Sequence, residues 1–303
     1  MWLIFAIATT LIWGLAELFY KKGAVPTEKY SHLKICVAVG FVMGIHAIIM
    51  LLTQDMGYSF MNLIRYLPVS LCYILSMAFS FFGMRFIEES ISDPIENTSG
   101  AICALMAVVI LGETIAPPVV VGIVIIVIGI LGVGFLENTG STDRKKKIGK
   151  KMAIIAFAMP FCYAIIDALG SFLDIIYLEM ETSPLMNITE ETIENVANTS
   201  YELTFFFCAI ILLIFMKVKG VRFELPKQRD KILAALCETA GQFTYVFAMS
   251  GNGAVAAPII SSVCVVSMLL SRIFLKEKLT FKQYFFLFLV IAGILLIAMI
   301  EGD

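Results

Sequence analysis

Apolar runs long enough to cross a bilayer recur along the whole of this chain, and nothing else in it constrains the fold so strongly. A helix needs about 20 predominantly apolar residues to span the hydrocarbon core. Ten segments near that length can be drawn, over 2–24, 33–52, 62–86, 91–111, 116–136, 152–177, 202–217, 231–250, 254–275 and 281–300. Hydrophobic residues make up 60% of the 303 and charged residues 15%, against about 45–50% and about 25% in soluble domains. Lipid offers backbone groups no hydrogen bonds, so the segments must be helices, and the Gly and Pro inside them are tolerated there. The first segment has no basic residue before it and no small-residue cleavage site. It is expected to remain as a spanning helix rather than be removed as a signal peptide. The fold class is an all-α polytopic membrane protein with ten transmembrane helices.

Basic residues orient it. The loops after segments 1, 3, 5, 7 and 9 carry 21 of the 22 Lys and Arg, with Arg65 the exception. Such asymmetry places those loops in the cytoplasm and both termini outside. The acidic stretch 178–202 reads as the long external loop. Its two Asn-x-Ser/Thr matches, at Asn187 and Asn198, carry meaning only in a secretory pathway. In the bacterial or archaeal plasma membrane expected here they are chance. The seven cysteines fall in or beside apolar segments without C-x-x-C spacing, and no HExxH, P-loop or GxSxG is present. The chain therefore points to no metal and no cofactor, and nothing in it suggests nucleic acid as a partner.

The chain also repeats. Pro94, Glu113 and Gly129 have the same spacings, 19 and 16, as Pro258, Glu277 and Gly293. WGLAE (13–17) aligns with YAIID (163–167), each an aromatic four residues before an acid. Residues 1–140 and 152–303 thus read as two five-helix copies, joined by a basic linker at 141–151. Five is odd, so the copies lie in the membrane with opposite topology. Inverted repeats are a transporter architecture, with the substrate site between the halves.

The WG of the first segment, LGE (111–113), LKE (275–277) and AAP (256–258) resemble the EamA-type branch of the drug/metabolite transporter superfamily. The likeness covers almost the whole chain. It implies a ten-helix basket whose central cavity is walled by helices 1, 3, 4, 6, 8 and 9. The chain departs from relatives in WGLAE, where an asparagine-containing stretch is more usual, and in its acidic insert. Many relatives are drawn with cytoplasmic termini, whereas the basic-residue count here gives the reverse.

Acids stand inside the apolar segments: Glu17, Glu96, Asp167 and Glu238, with Asp93 near the start of the fourth. No Lys or Arg lies at comparable depth. A charge there costs roughly 2.5–3.5 kcal/mol on the insertion scale and usually marks function. Such acids are kept neutral by burial or face a wet cavity that takes a cation, and a coupling acid in an antiporter does both in turn. Trp13 lies one turn from Glu17 and Tyr163 one turn from Asp167, an arrangement suited to an alkylammonium through charge and cation–π attraction. Gln242 and Tyr245 share a helix face with Glu238. Other readings stay open at this level. Glu17 can pair with Lys21 at i+4, Glu96 can make a helix–helix contact with Asn97 and Thr98 as neighbours, and His46 reads as an interhelical hydrogen bonder. Glu113 and Glu277 read as structural helix ends.

The expected function is secondary transport of a small organic cation, amine or zwitterionic metabolite in exchange for protons, by a monomer or homodimer in the lipid bilayer. An exporter of amino acids or neutral metabolites, with the acids serving proton coupling alone, is the alternative within transport. A receptor or scaffold using loop 178–202 is the alternative outside it. No nucleophile–base pair supports an enzyme.

Overall fold

The computed structural model describes residues 1–25, 28–83, 95–137, 150–275 and 280–301. Pro94, Asp93 and Glu277 lie outside the described residues, as does most of the basic linker.

Every regular element among the described residues is helical. They are α1 (Trp2–Gly23), α2 (Ser31–Thr53), α3 (Met61–Arg65), α4 (Leu67–Gly83), α5 (Ser99–Met106), α6 (Pro117–Glu137), α7 (Lys150–Tyr177), α8 (Ile193–Val218), α9 (Arg229–Ile260), α10 (Val263–Leu275) and α11 (Phe281–Glu301). A π-turn, Ala107–Leu111, continues α5 and ends at Gly112, whose φ of 72° favours glycine. Six helices are long and apolar enough to cross a membrane, and four shorter apolar ones cover Leu67–Gly83, Ser99–Leu111, Pro117–Gly132 and Val263–Phe274. The chain is a polytopic membrane protein.

The helices differ from the predicted segments in four places. Segment 3 breaks at Tyr66, between α3 and α4, with Pro68 in the first turn of α4, where a missing N–H costs nothing. Segment 9 begins inside α9 and is interrupted at Ser261–Ser262. Segment 7 begins at Ile193 rather than 202, so the loop between α7 and α8 is 178–192 and not 178–202. Deleting 180–200 would therefore cut into α8. Asn198, 2% exposed inside that helix, is no acceptor for a glycan.

The loop itself is docked rather than free. Asn62 Nδ2 donates to Met186 O at 3.0 Å and Asn62 Oδ1 accepts from Met186 N at 2.7 Å. Arg65, the one basic residue at this end by count, donates to Pro184 O at 2.5 Å. At the opposite end, Glu28 is gripped by Lys34 and lies 3.7 Å from Lys231. Burial pushes the Glu28 carboxyl up, but the Lys34 hydrogen bond and the two lysine charges outweigh it and hold it below the usual carboxylate range.

Glycines set how the helices pair, because they let backbones approach. α1 and the first part of α9 run antiparallel: Gly23 meets Lys231, Gly241 receives Trp13 and Gly251 receives Trp2. At Asn252, within Gly-Asn-Gly, the chain leaves helical geometry with φ −165° and ψ 74°. It then runs back along α1, since Thr10 Oγ reaches Ile259 O at 3.5 Å and Gly14 packs on Val266. α4 pairs with α7, α2 with α8, and α5 with the Gly253–Ile260 part of α9 through Gly100 and Ala257.

α6 and α11 form the tightest glycine seam. Gly129 faces Val290 and Phe286, while Gly293 faces Ile126 and Gly122. A β-carbon at Gly129 would lie 2.4 Å from Val290, and one at Gly293 2.8 Å from both the Gly122 carbonyl and Ile126. Gly129→Val and Gly293→Val are each expected to cost about 1–3 kcal/mol by overpacking. Thermal unfolding in detergent would check this, and no loss at either position would contradict the seam.

Candidate functional site

A cavity of about 130 Å³ lies between α1, α4, α5, α7, α8 and α9. It is small beside the roughly 300–1,000 Å³ of drug-sized ligand sites. All eight residues singled out from the sequence line it: Trp13, Glu17, Glu96, Tyr163, Asp167, Glu238, Gln242 and Tyr245. Glu96, Glu238, Gln242 and Tyr245 are buried there, and Trp13, Glu17, Tyr163 and Asp167 are half-buried. Among the described residues that line it, none is Lys, Arg or His.

The helical repeat explains the convergence. Trp13, Glu17 and Tyr20 fall within two turns on one face of α1, and Glu238, Gln242 and Tyr245 do so on α9. α7 brings Tyr163, Asp167 and Ser171 at intervals of four. The α1–α9 register then joins the first two faces: Tyr20 Oη donates to Glu238 Oε2 at 3.2 Å, and Trp13 Nε1 donates to the Glu238 backbone carbonyl at 3.2 Å. Ser76 on α4 donates to Asp167 Oδ1 at 3.3 Å, and Ser99 and Tyr163 interact with the same carboxylate. Tyr163 lies within electrostatic reach of all four acids, and Glu238 within reach of Glu17 and Asp167. Glu17, Asp167 and Glu238 thus form one coupled group, and protonation of Glu238 bears on the other two.

The aromatic residues have more than one duty. Trp13 seats on Gly241 and stacks on Tyr245, with ring centroids 5.2 Å apart and 28° between planes. One face of the indole is therefore occupied, which limits Trp13 as a cation–π wall. Tyr245 Oη hydrogen-bonds Tyr73 Oη at 2.6 Å and Ser171 Oγ at 3.0 Å.

Two buried acids escaped the sequence reading. Asp174 is fully buried and accepts hydrogen bonds from Tyr66 and Tyr73. Its one available signal was position, two helical turns after Asp167 on the same face of α7. Glu202 is also fully buried, with His46 Nδ1 2.8 Å from each of its oxygens and Asn198 Nδ2 donating at 3.1 Å. His46 is an interhelical hydrogen bonder, from α2 to α8, and its ring lies outside the cavity lining. No local signal marks Glu202, because its helix begins nine residues earlier than apolar character suggests.

Glu113 follows Gly112, its amide donating to Ala107 O at 3.3 Å, which makes it a helix-end residue away from the lining. Among the described residues no group of His, Cys, Asp and Glu is arranged to hold a metal.

A sequence profile of the EamA-like transporter family matches residues 1–135 and 184–299. Comparison with curated proteins gives no match. A solved crystal structure aligns over 99% of this chain and 96% of its own, with a TM-score of 0.71 and 12% identity. At that identity the likeness shows the fold.

Proposed function

The chain belongs to the EamA-like transporter family, and from that premise we propose that this membrane transporter carries a small organic cation, amine or zwitterionic metabolite in exchange for protons. The observation that carries the reading is the lining: four acids, five tyrosines and a tryptophan around one cavity, with no basic side chain among its described residues. A cation entering such a space replaces water around at least one carboxylate. A proton on that carboxylate removes the attraction, so the two ligands compete, and competition at one site is what exchange requires. Alternating access then moves the site between the two faces.

The architecture that fits this is ten spans in two inverted repeats. Six long and four shorter apolar helices add up to ten among the described residues. The helix pairs also exchange under a twofold. With segments 1–5 mapped onto 6–10, the α1–α9 pair maps onto α7–α4, and the α2–α8, α5–α9 and α6–α11 pairs map onto themselves. At the α6–α11 seam the match reaches single residues: Gly129 faces 290 and 286, and Gly293 faces 126 and 122, each shifted by 164. Both termini then lie outside, by the distribution of basic residues. A tag appended to the C-terminus is expected to react with an impermeant reagent on intact cells; reaction only after permeabilisation would overturn that orientation.

The neutral polar lining, including Asn97, Ser99 and Gln242, favours a second reading, in which an amino acid or neutral metabolite is exported and the acids serve the proton alone. One experiment separates the two. Purified protein in proteoliposomes carrying a pH gradient is challenged with amines, amino acids, nucleosides and sugars, while thermal unfolding is followed in parallel. Amines are expected both to raise the unfolding temperature and to collapse the gradient. Stabilisation and proton movement by neutral solutes alone would favour the second reading, and no proton movement with any stabilising solute would remove exchange.

A further inference from the structure

Asp174 is fully buried behind the cavity wall and does not line the cavity, whereas Tyr73, Tyr245 and Ser171 do. Its Oδ1 accepts from Tyr66 and its Oδ2 from Tyr73 at 2.7 Å. Beyond Tyr73 a chain of hydroxyls runs on: Tyr73 Oη to Tyr245 Oη at 2.6 Å, then Tyr245 Oη to Ser171 Oγ at 3.0 Å. Each separation is that of a good hydrogen bond. Each hydroxyl can donate or accept, so the chain can point either way.

The groups that face Asp174 electrostatically are acids, phenols and thiols. Asp167 acts from its own helix, Tyr66 from the break between α3 and α4, Tyr73 and Cys72 from α4, and Cys103 from α5. Tyr201 acts from α8 and Tyr245 from α9. Arg65, next to Tyr66, spends its guanidinium on Pro184 O. Among the described residues, only phenol hydroxyls donate to this fully buried carboxyl. It is therefore poised to take a proton when one can reach it.

We propose that Asp174 is a second proton-binding site, set behind the cavity and reached from it through the Tyr73 hydroxyl, with Tyr245 and Ser171 completing the relay. This rests on the proton-exchange reading above. In the delivering step Tyr73 gives its proton to Asp174 Oδ2 as it takes one from Tyr245. Tyr245 takes one from Ser171, and Ser171 takes one from a cavity water. One O–H bond breaks at each donor as one forms at the next acceptor. The net change is one proton moved from the cavity to the carboxylate, with the hydroxyls reversed until they rotate back. Tyr66 holds the other oxygen and lies off the path.

Infrared difference spectroscopy of the full chain in nanodiscs, after a step from alkaline to acidic buffer, tests this with the proton as the probe. The wild type is expected to develop the carbonyl band of a buried carboxylic acid, shifted in deuterated buffer, and Asp174→Asn to lack it. Tyr73→Phe is expected to slow the rise of that band by about a hundredfold. Tyr66→Phe removes a donor from the same carboxylate but not from the path, and is expected to leave the rate within about twofold of wild type, as a lateral hydrogen bond carries no proton to Oδ2. If Asp174→Asn does not fold, Asp174→Glu identifies the band by moving it. Absence of the band in the wild type, or equal rates in Tyr73→Phe and Tyr66→Phe, overturns the relay. The measurement needs no transported solute, so a silent Asp174 alongside intact proton-driven transport sinks the relay alone. A band with the expected kinetics alongside pH-independent transport sinks the exchange reading alone.

Discussion

Glu17→Gln is expected to reduce proton-driven transport to the level of empty vesicles while leaving expression and unfolding temperature close to wild type. Glutamine keeps the shape and most of the hydrogen-bonding capacity of the side chain but cannot ionise. Glu17 is half-buried on the cavity face of α1, one turn from Tyr20, and Tyr20 holds Glu238. It also lies within electrostatic reach of Glu238. Removing its charge therefore alters the site proposed for cation and proton without touching the helix seams. Glu17→Asp, one methylene shorter, is expected to retain partial activity with a displaced pH optimum. Lys21→Gln is the control, since it sits at i+4 on the same helix. If Glu17 served only an ion pair with Lys21, the two neutralising variants would behave alike. Normal transport by Glu17→Gln under a pH gradient would move the coupling role to Glu238 or Glu96.

Gly100→Val is expected to have the largest effect of any substitution away from the acids. A β-carbon at Gly100 would lie 2.3 Å from the Ala257 carbonyl oxygen and 2.3 Å from Ser261 Oγ. The first of these is backbone and cannot rotate away. Gly100 N also donates to Ser261 Oγ at 3.0 Å, so separating α5 from α9 breaks a buried hydrogen bond as well as a close contact. Overpacking of this kind costs about 1–3 kcal/mol, and loss of the hydrogen bond adds about 0.5–1.5 kcal/mol. Gly100, Ala257 and Ser261 all line the cavity, so the same displacement should change its shape. Gly100→Ala already carries the offending atom and is expected to lose most of what Gly100→Val loses. Gly112→Ala provides a contrast, because nothing lies within 4 Å of its β-carbon and only its φ of 72° resists substitution. Unfolding temperatures of the three variants decide the matter, and a Gly100→Ala protein as stable as wild type would contradict the close approach.

By itself the sequence determined the membrane class, the rough place of most helices and the set of acids worth following. All of these are sums over neighbouring residues. Hydropathy is local, and a helix face is an arithmetic of three and four, so Glu17, Asp167 and the Glu238–Gln242–Tyr245 stripe could be read without knowing what they meet. Their arrival at one cavity needed only that each helix turn its polar stripe inward, which lipid enforces. Tertiary structure decided the rest. Asp174 stands three residues from the end of α7 and reads locally as an interfacial acid; Tyr66 and Tyr73, about a hundred residues earlier, bury it. Glu202 reads as the edge of an acidic loop until α2 brings His46 against it. Trp13 reads as a free aromatic wall until Gly241 seats it and Tyr245 covers one face. The breaks at Tyr66 and Ser261 likewise have partners far away in the chain, Asp174 and Gly100. In each case the deciding energy is desolvation offset by a long-range contact, and no window along the sequence contains both members of such a pair.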